Sequence, residues 1–284
     1  MFSRLSKAIK WIGDHFKGLL FLLIVSLLLI PTPKEQLLPP NLQEIQLFGA
    51  ITDASAILKT IEEAQKDPNI KGVLLNVNSP GGSVPPSIEI SYAIANLAKA
   101  KPVVAYASGV MASGSYYSSI YANKIIANPG AIVGSIGVIM QSANIKELLD
   151  KIGIKPQIVK EGLYKEAGTP TREWTKSERE ELKRLTSDTY KLFVSDVAKA
   201  RGLDINNSDE YANAHIFSAQ RAKEVGLIDE IGIISQAKSQ LATLAKVKTP
   251  RWKQKDKLEK FIDKLTQKTL THIQAFGYGL KAEF

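Results

Sequence analysis

Between residues 72 and 140 short apolar runs recur, separated by glycine-rich turns and helical stretches, and this rhythm constrains the fold more than any other feature of the chain. Gly72-Val-Leu-Leu-Asn-Val-Asn78 is the brief, nearly unbroken apolar run expected of a strand covered on both faces. A Gly turn then leads into a helix expected over 86–100, a strand over 101–107, a helix over 112–122, and two further strands over 124–128 and 133–140. A strand over 42–51 and a helix over 54–65 precede the run. Strand, turn and helix alternating at roughly thirty-residue intervals indicate an α/β domain with parallel strands, whose ligands collect at the carboxyl ends of the strands.

Past residue 170 the pattern becomes helical. Thr175-Lys-Ser-Glu178 fits a capping box, opening a helix that runs to about residue 200 and stops at Gly202. A helix over 217–226 and another ending near residue 245 follow.

The chain has 284 residues, enough for one large domain or two small ones, and its 37 Lys and Arg outnumber 28 Asp and Glu. The surplus is confined to the ends. Residues 1–17 carry +3 and residues 246–284 carry +6, whereas 18–245 is neutral. A nucleic-acid groove across the main domain is therefore not expected, and contact of the ends with an anionic surface is. Zero Cys removes a disulfide framework, a thiolate zinc site and a cysteine nucleophile. With only His15, His215 and His272, a His-based triad or multi-His metal site has little material, so no metal or cofactor is expected.

Residues 18–30 read GLLFLLIVSLLLI and end at Pro31-Thr-Pro33. Counted from Trp11 to Ile30 the stretch reaches twenty residues, with Lys17 able to snorkel and Trp11 suited to the interface; it is read as an uncleaved transmembrane anchor. Arg4, Lys7 and Lys10 precede it, so the N-terminus is expected in the cytoplasm and the main domain on the far side of the plasma (inner) membrane, periplasmic in a bacterium that has a periplasm. The expected organisation is a cytoplasmic N-terminus and anchor over 1–33, a catalytic domain over 34–245 and a basic tail over 246–284.

Three stretches carry candidate chemistry. Asn78-Ser-Pro-Gly-Gly-Ser-Val84 ends a strand, and its glycines let backbone N–H groups point at an anion. Gly109-Val-Met-Ala-Ser-Gly-Ser-Tyr116 puts Ser113 among small residues at the mouth of a helix, where it is either an N-cap or an accessible nucleophile. A serine nucleophile needs a base. His215 lies in an apolar run and reads as a packed surface histidine, which leaves a lysine in an apolar, Gly-containing loop: Lys165 fits, and composition does not choose it over Lys160 or Lys155.

The order SPGG, MASGxYY, GSIGV, YK, a long helix and AxxxGLID resembles the signal peptide peptidase A family of Ser-Lys membrane proteases (peptidase family S49) in its short single-repeat form, over about residues 42–235. The resemblance implies a ClpP/crotonase-like fold with repeated β-β-α units, and cleavage of signal peptides left in the membrane after export. It further implies Ser113 as nucleophile, Lys165 as general base and Ser135 as the serine that orients the lysine. The Gly114 N–H, with one from Gly81 or Gly82, would form the oxyanion hole. Apolar peptides are the implied substrates. Family members assemble as rings or domes, so homo-oligomers with sites shared between protomers are expected. Ser115 and Asn76 depart from the family pattern, standing where a second Gly and a basic residue are common, and Phe217-Ser-Ala219 replaces a Gly-containing version.

Two other readings use the same features: a crotonase-like enzyme acting on CoA thioesters, and a non-catalytic membrane scaffold that binds peptides. In the tail, Trp252, Leu258, Phe261, Ile262, Leu265, Ile273 and Phe276 recur among lysines at near-helical spacing, as in an amphipathic helix on membrane lipid.

Overall fold

In a computed structural model, residues 11, 13, 15–29 and 38–254 are described, and the chain divides into two units, residues 1–39 and 40–284. The first unit contains helix α1, Phe16–Leu29. Its fourteen residues rise about 21 Å, short of the roughly 30 Å of a hydrocarbon core. Among the described residues no helix is long and apolar enough to cross a membrane, and residues 12, 14 and 30 of the twenty-residue span expected over 11–30 lie outside them.

The second unit begins with three strand–helix–strand crossovers: β1 (Leu42–Phe48), α2 (Ser55–Lys66), β2 (Gly72–Ser79), α3 (Val84–Ala100), β3 (Val103–Ala112), α4 (Gly114–Ser119) and β4 (Lys124–Ala127). Then come β5 (Ile132–Gly134), α5 (Lys146–Lys151), the long α6 (Lys176–Arg201), α7 (Ser208–Tyr211), β6 (Ile216–Ser218), α8 (Ala219–Glu224), β7 (Glu230–Ile231) and α9 (Ile234–Leu244). The strands form one sheet in the order β1-β2-β3-β4-β7, all parallel, with β5 joined to the far end of β3 and β6 antiparallel to β5.

Both faces of this sheet are covered, which explains the near-continuous apolar strands. Val73, Leu75, Val77, Val103, Ala105 and Ala107 belong to the main core with Ile61 of α2 and Ile90, Ile94 and Leu97 of α3. Their alternates Leu74, Val104, Tyr106 and Ile126 belong to a second core under Ala237 and Leu241 of α9. Trp252, expected on the amphipathic tail, packs on this second core and pairs with Leu42, while the Lys253 N–H donates to the Leu42 carbonyl (2.8 Å). The chain therefore runs along the domain beyond residue 245. Leu258 and the other apolar tail positions lie outside the described residues.

Three expected elements change, each for a local reason. The strand expected to end at Ala107 continues to Ala112, because β3 takes four steps from Ala107 to Met111 against two in β2, from Val77 to Ser79. The excess is held by Asn78, whose side-chain carbonyl accepts from the Val110 N–H (3.0 Å), and by the Ser108 hydroxyl donating to the Val77 carbonyl (3.1 Å). The strand expected over 133–140 stops at Gly134, where φ +106° followed by +51° at Ser135 turns the backbone out of extended conformation. Phe217, expected to begin a helix, lies in β6 opposite Val133, and the helix begins only after the Ser218 hydroxyl accepts from the Arg221 N–H (3.4 Å). The Thr175/Glu178 capping box and the left-handed Gly202 stop (φ +65°) of α6 form as expected.

Candidate active site

The carboxyl ends of β2, β3 and β5 converge, and the SPGG turn, Ser113 and Ser135 sit on them. Ser113 has φ +53° and ψ −124°, a backbone conformation costing roughly 1–3 kcal/mol for a non-glycine residue. Two hydrogen bonds hold it: its N–H donates to the Gly134 carbonyl (2.8 Å), and its carbonyl accepts from Tyr117 N–H (3.0 Å). Although Ser113 stands at the N-cap position of α4, its hydroxyl makes no capping bond. The strain turns the side chain away from the role that usually brings serine to a helix start.

Glycines fit around this serine where no side chain would. A Cβ on Gly81, which has φ +95°, would lie 2.6 Å from the Gly114 nitrogen and 2.8 Å from the Ser113 Cβ. One on Gly82 would fall 2.1 Å from the Ile51 carbonyl oxygen, and one on Gly114 would meet the Ser87 hydroxyl at 2.2 Å. Gly81's N–H is spent on the Ser79 hydroxyl (3.2 Å). Gly82 is different. Ile51 donates to the Gly81 carbonyl (2.8 Å) and accepts from the Ser83 N–H (2.7 Å), and in a parallel bridge of this kind the N–H of the intervening Gly82 points the other way. A Cβ at Gly82 would accordingly displace the turn.

Gly82, Ser113 and Gly114 open onto a cleft with walls formed by Val84, Ile88, Tyr117, Val138, Leu192 and Phe193. Among the described residues no carboxylate, lysine or histidine lines it. Tyr117 stacks edge-on against Phe193 and donates its hydroxyl to Asp196; burial and that carboxylate push its titration upward, so it is a neutral wall. Leu192 and Phe193, with Thr189, come from one face of α6, a contribution not assigned from sequence. The signal lies in the i, i+3, i+4 spacing of these three residues, which alone does not separate cleft from core.

Ser135 follows Gly134, the backbone partner of Ser113, and donates its own N–H to the His215 carbonyl (2.7 Å). Lys165 is elsewhere. It is exposed, in a run of turns over residues 161–168, does not line the cleft and makes no ion pair among the described residues. Lys160, the nearest alternative, pairs with Glu166 at 2.5 Å. His215 is exposed with its ring 6.0 Å from Phe217 and does not line the cleft. Val159 and Leu163, close to Lys165 in the chain, show 103% and 67% of their surface, and Ile139, just past Val138 of the cleft wall, shows 82%. Ser115 is fully buried, its hydroxyl accepting from Ala112 N–H (2.9 Å) and donating to the Ser79 carbonyl (2.7 Å), so it ties β2 to the serine turn without entering the cleft. Asn76 donates to Glu44 on the neighbouring strand.

Residues 95–248 match the model of a family described as "Peptidase family S49". Among relatives, a protein of Methanocaldococcus jannaschii named as a candidate protease is 43% identical over 198 residues, 70% of this chain and 64% of that protein. A candidate signal peptide peptidase SppA of Enterococcus faecium is 36% identical over 181 residues, 63% of this chain and 53% of that protein. The chloroplastic serine protease SPPA of Arabidopsis thaliana is 30% identical over 190 residues, 66% of this chain and 28% of that protein. The matched region thus spans less than two thirds of each of these relatives.

Proposed function

The chain belongs to peptidase family S49, and from that premise we propose that it is a membrane-anchored serine endopeptidase that cleaves signal peptides left behind after export. The observation that carries this reading is Ser113, strained, free of any capping bond, and set at the mouth of an apolar cleft beside Gly82 and Gly114. In the proposed cycle neutral Lys165 takes the Ser113 proton as the Oγ attacks the peptide carbonyl. The N–H groups of Gly82 and Gly114 receive the oxyanion, the protonated lysine gives its proton to the leaving amine, and water then hydrolyses the acyl-enzyme. Ser135 would orient the lysine.

Because Lys165 is exposed and outside the cleft, the reading takes it to serve the Ser113 of a neighbouring protomer in a homo-oligomer. Exposed Ile139, Val159 and Leu163 supply an apolar surface of the kind that such assemblies bury. An extended substrate would run beside the SPGG turn and place an apolar side chain between Val84, Ile88 and Leu192. The apolar stretch containing α1 would hold the domain at the membrane, with the basic residues before it in the cytoplasm.

Among the described residues the cleft presents Ser113 and no carboxylate for the acid–base work of a CoA-thioester enzyme, which favours the peptidase reading. Incubation of the full-length protein with a synthetic signal peptide tests the proposal. Cleavage within the apolar stretch by the wild type and none by Ser113→Ala is expected; hydrolysis of an acyl-CoA in its place, or equal cleavage by both proteins, overturns it.

A further inference from the structure

The turn carrying Lys165 is joined to α6 by an interlocked set of charges. Glu166, directly after Lys165, accepts from Lys160 (2.5 Å) and from one arm of the Arg172 guanidinium (3.1 Å), and its side chain is only 14% exposed. The same guanidinium reaches both oxygens of Glu178 (2.7 and 2.9 Å). Glu178 is buried and also accepts from the Thr175 N–H (2.8 Å), closing the capping box that starts α6. Arg172, with the Thr175 backbone behind it, holds the Glu178 carboxyl down to about 2, and Lys160 with Arg172 holds Glu166 low. One planar fork therefore connects the residue after Lys165 to the helix whose later turns, at Leu192 and Phe193, wall the cleft.

The arrangement also occupies the carboxylate that stands nearest Lys165 in the chain. A free carboxylate beside a lysine favours its ammonium form and opposes use of that lysine as a base. Glu161, Glu173, Lys176 and Arg179 are further charged groups near the turn and the start of α6, and on α5 Lys146 pairs with Asp150. We propose that Arg172 is a positioning residue for the general base: its fork fixes the Lys165 turn against the start of α6 and keeps Glu166 engaged away from Lys165. This inference rests on Lys165 being the base, as proposed above.

The test is the pH profile of Ser113 acylation by a serine-reactive phosphonate, measured on full-length protein. Arg172→Ala is expected to slow acylation at neutral pH by about 10- to 100-fold, the scale of a misplaced catalytic group. It should also move the acid limb of the profile to higher pH, because Glu166 then exchanges between Lys160 and Lys165. Arg172→Ala combined with Glu166→Gln should return the limb to its wild-type position, a rescue that a purely structural role would not produce. Should Arg172→Ala fail to fold, Glu166→Ala carries the test, since it leaves the Arg172–Glu178 pair and the helix cap in place: slower acylation with an unmoved limb is expected, and a wild-type rate overturns the inference. A wild-type rate and limb in folded Arg172→Ala overturns it equally. Wild-type acylation in Lys165→Ala would instead sink the underlying assignment of the base.

Discussion

Ser113→Ala is expected to lose all labelling by a serine-reactive phosphonate and to lower peptide turnover by about 10⁴-fold or more, as removal of a nucleophile does in other serine peptidases. The fold should survive. The Ser113 hydroxyl caps no helix, and the strained backbone is held by N–H and carbonyl groups that alanine keeps. Alanine and serine also share the same steric objection to positive φ, so the substitution adds little strain. Labelling that persisted in Ser113→Ala would place the reactive serine elsewhere. Ser115 would not be the replacement, because its hydroxyl is fully buried and engaged at both ends.

The parallel α/β core was legible because apolar runs such as Val73–Leu75 with Val77 send successive side chains to two covered faces, so that the apolar stretch is continuous and does not alternate with polar residues. The serine turn was legible as a pattern of small residues. Its conformation was not, since φ +53° at Ser113 is imposed by Gly134, twenty-one residues away, and by a glycine turn on another strand. The choice of Gly82 over Gly81 depends on the Ile51 bridge, a pairing between elements that local sequence does not announce. Likewise the extension of β3 rests on Asn78 inserting its side chain beside Gly109, where a Cβ would lie 2.5 Å from the Asn78 oxygen. The α6 wall escaped for a different reason: Leu192 lines the cleft while Val194 and Val197 are core, and an amphipathic helix gives both sets the same signature.

Lys165→Ala is expected to reduce turnover by about 10²- to 10⁴-fold, the usual contribution of a general base, while leaving Ser113 and its cleft intact. The position of Lys165 gives this prediction a second half. A lysine outside the cleft, on an exposed turn next to the apolar Leu163 and the wholly exposed Val159, can serve a serine only if another surface brings the two together. In a closed ring each protomer would offer its Ser113 to one neighbour and its Lys165 to the other. Ser113→Ala and Lys165→Ala proteins, each inactive alone, would then complement when assembled together. A site is intact only where a Lys165→Ala protomer supplies the serine and a Ser113→Ala protomer the lysine, so random assembly at equal amounts should restore about one quarter of wild-type turnover. A dyad confined to one protomer restores nothing, however well the two proteins mix. Absence of recovery in verified mixed oligomers would therefore reject the shared site, and wild-type turnover in Lys165→Ala alone would reject the lysine.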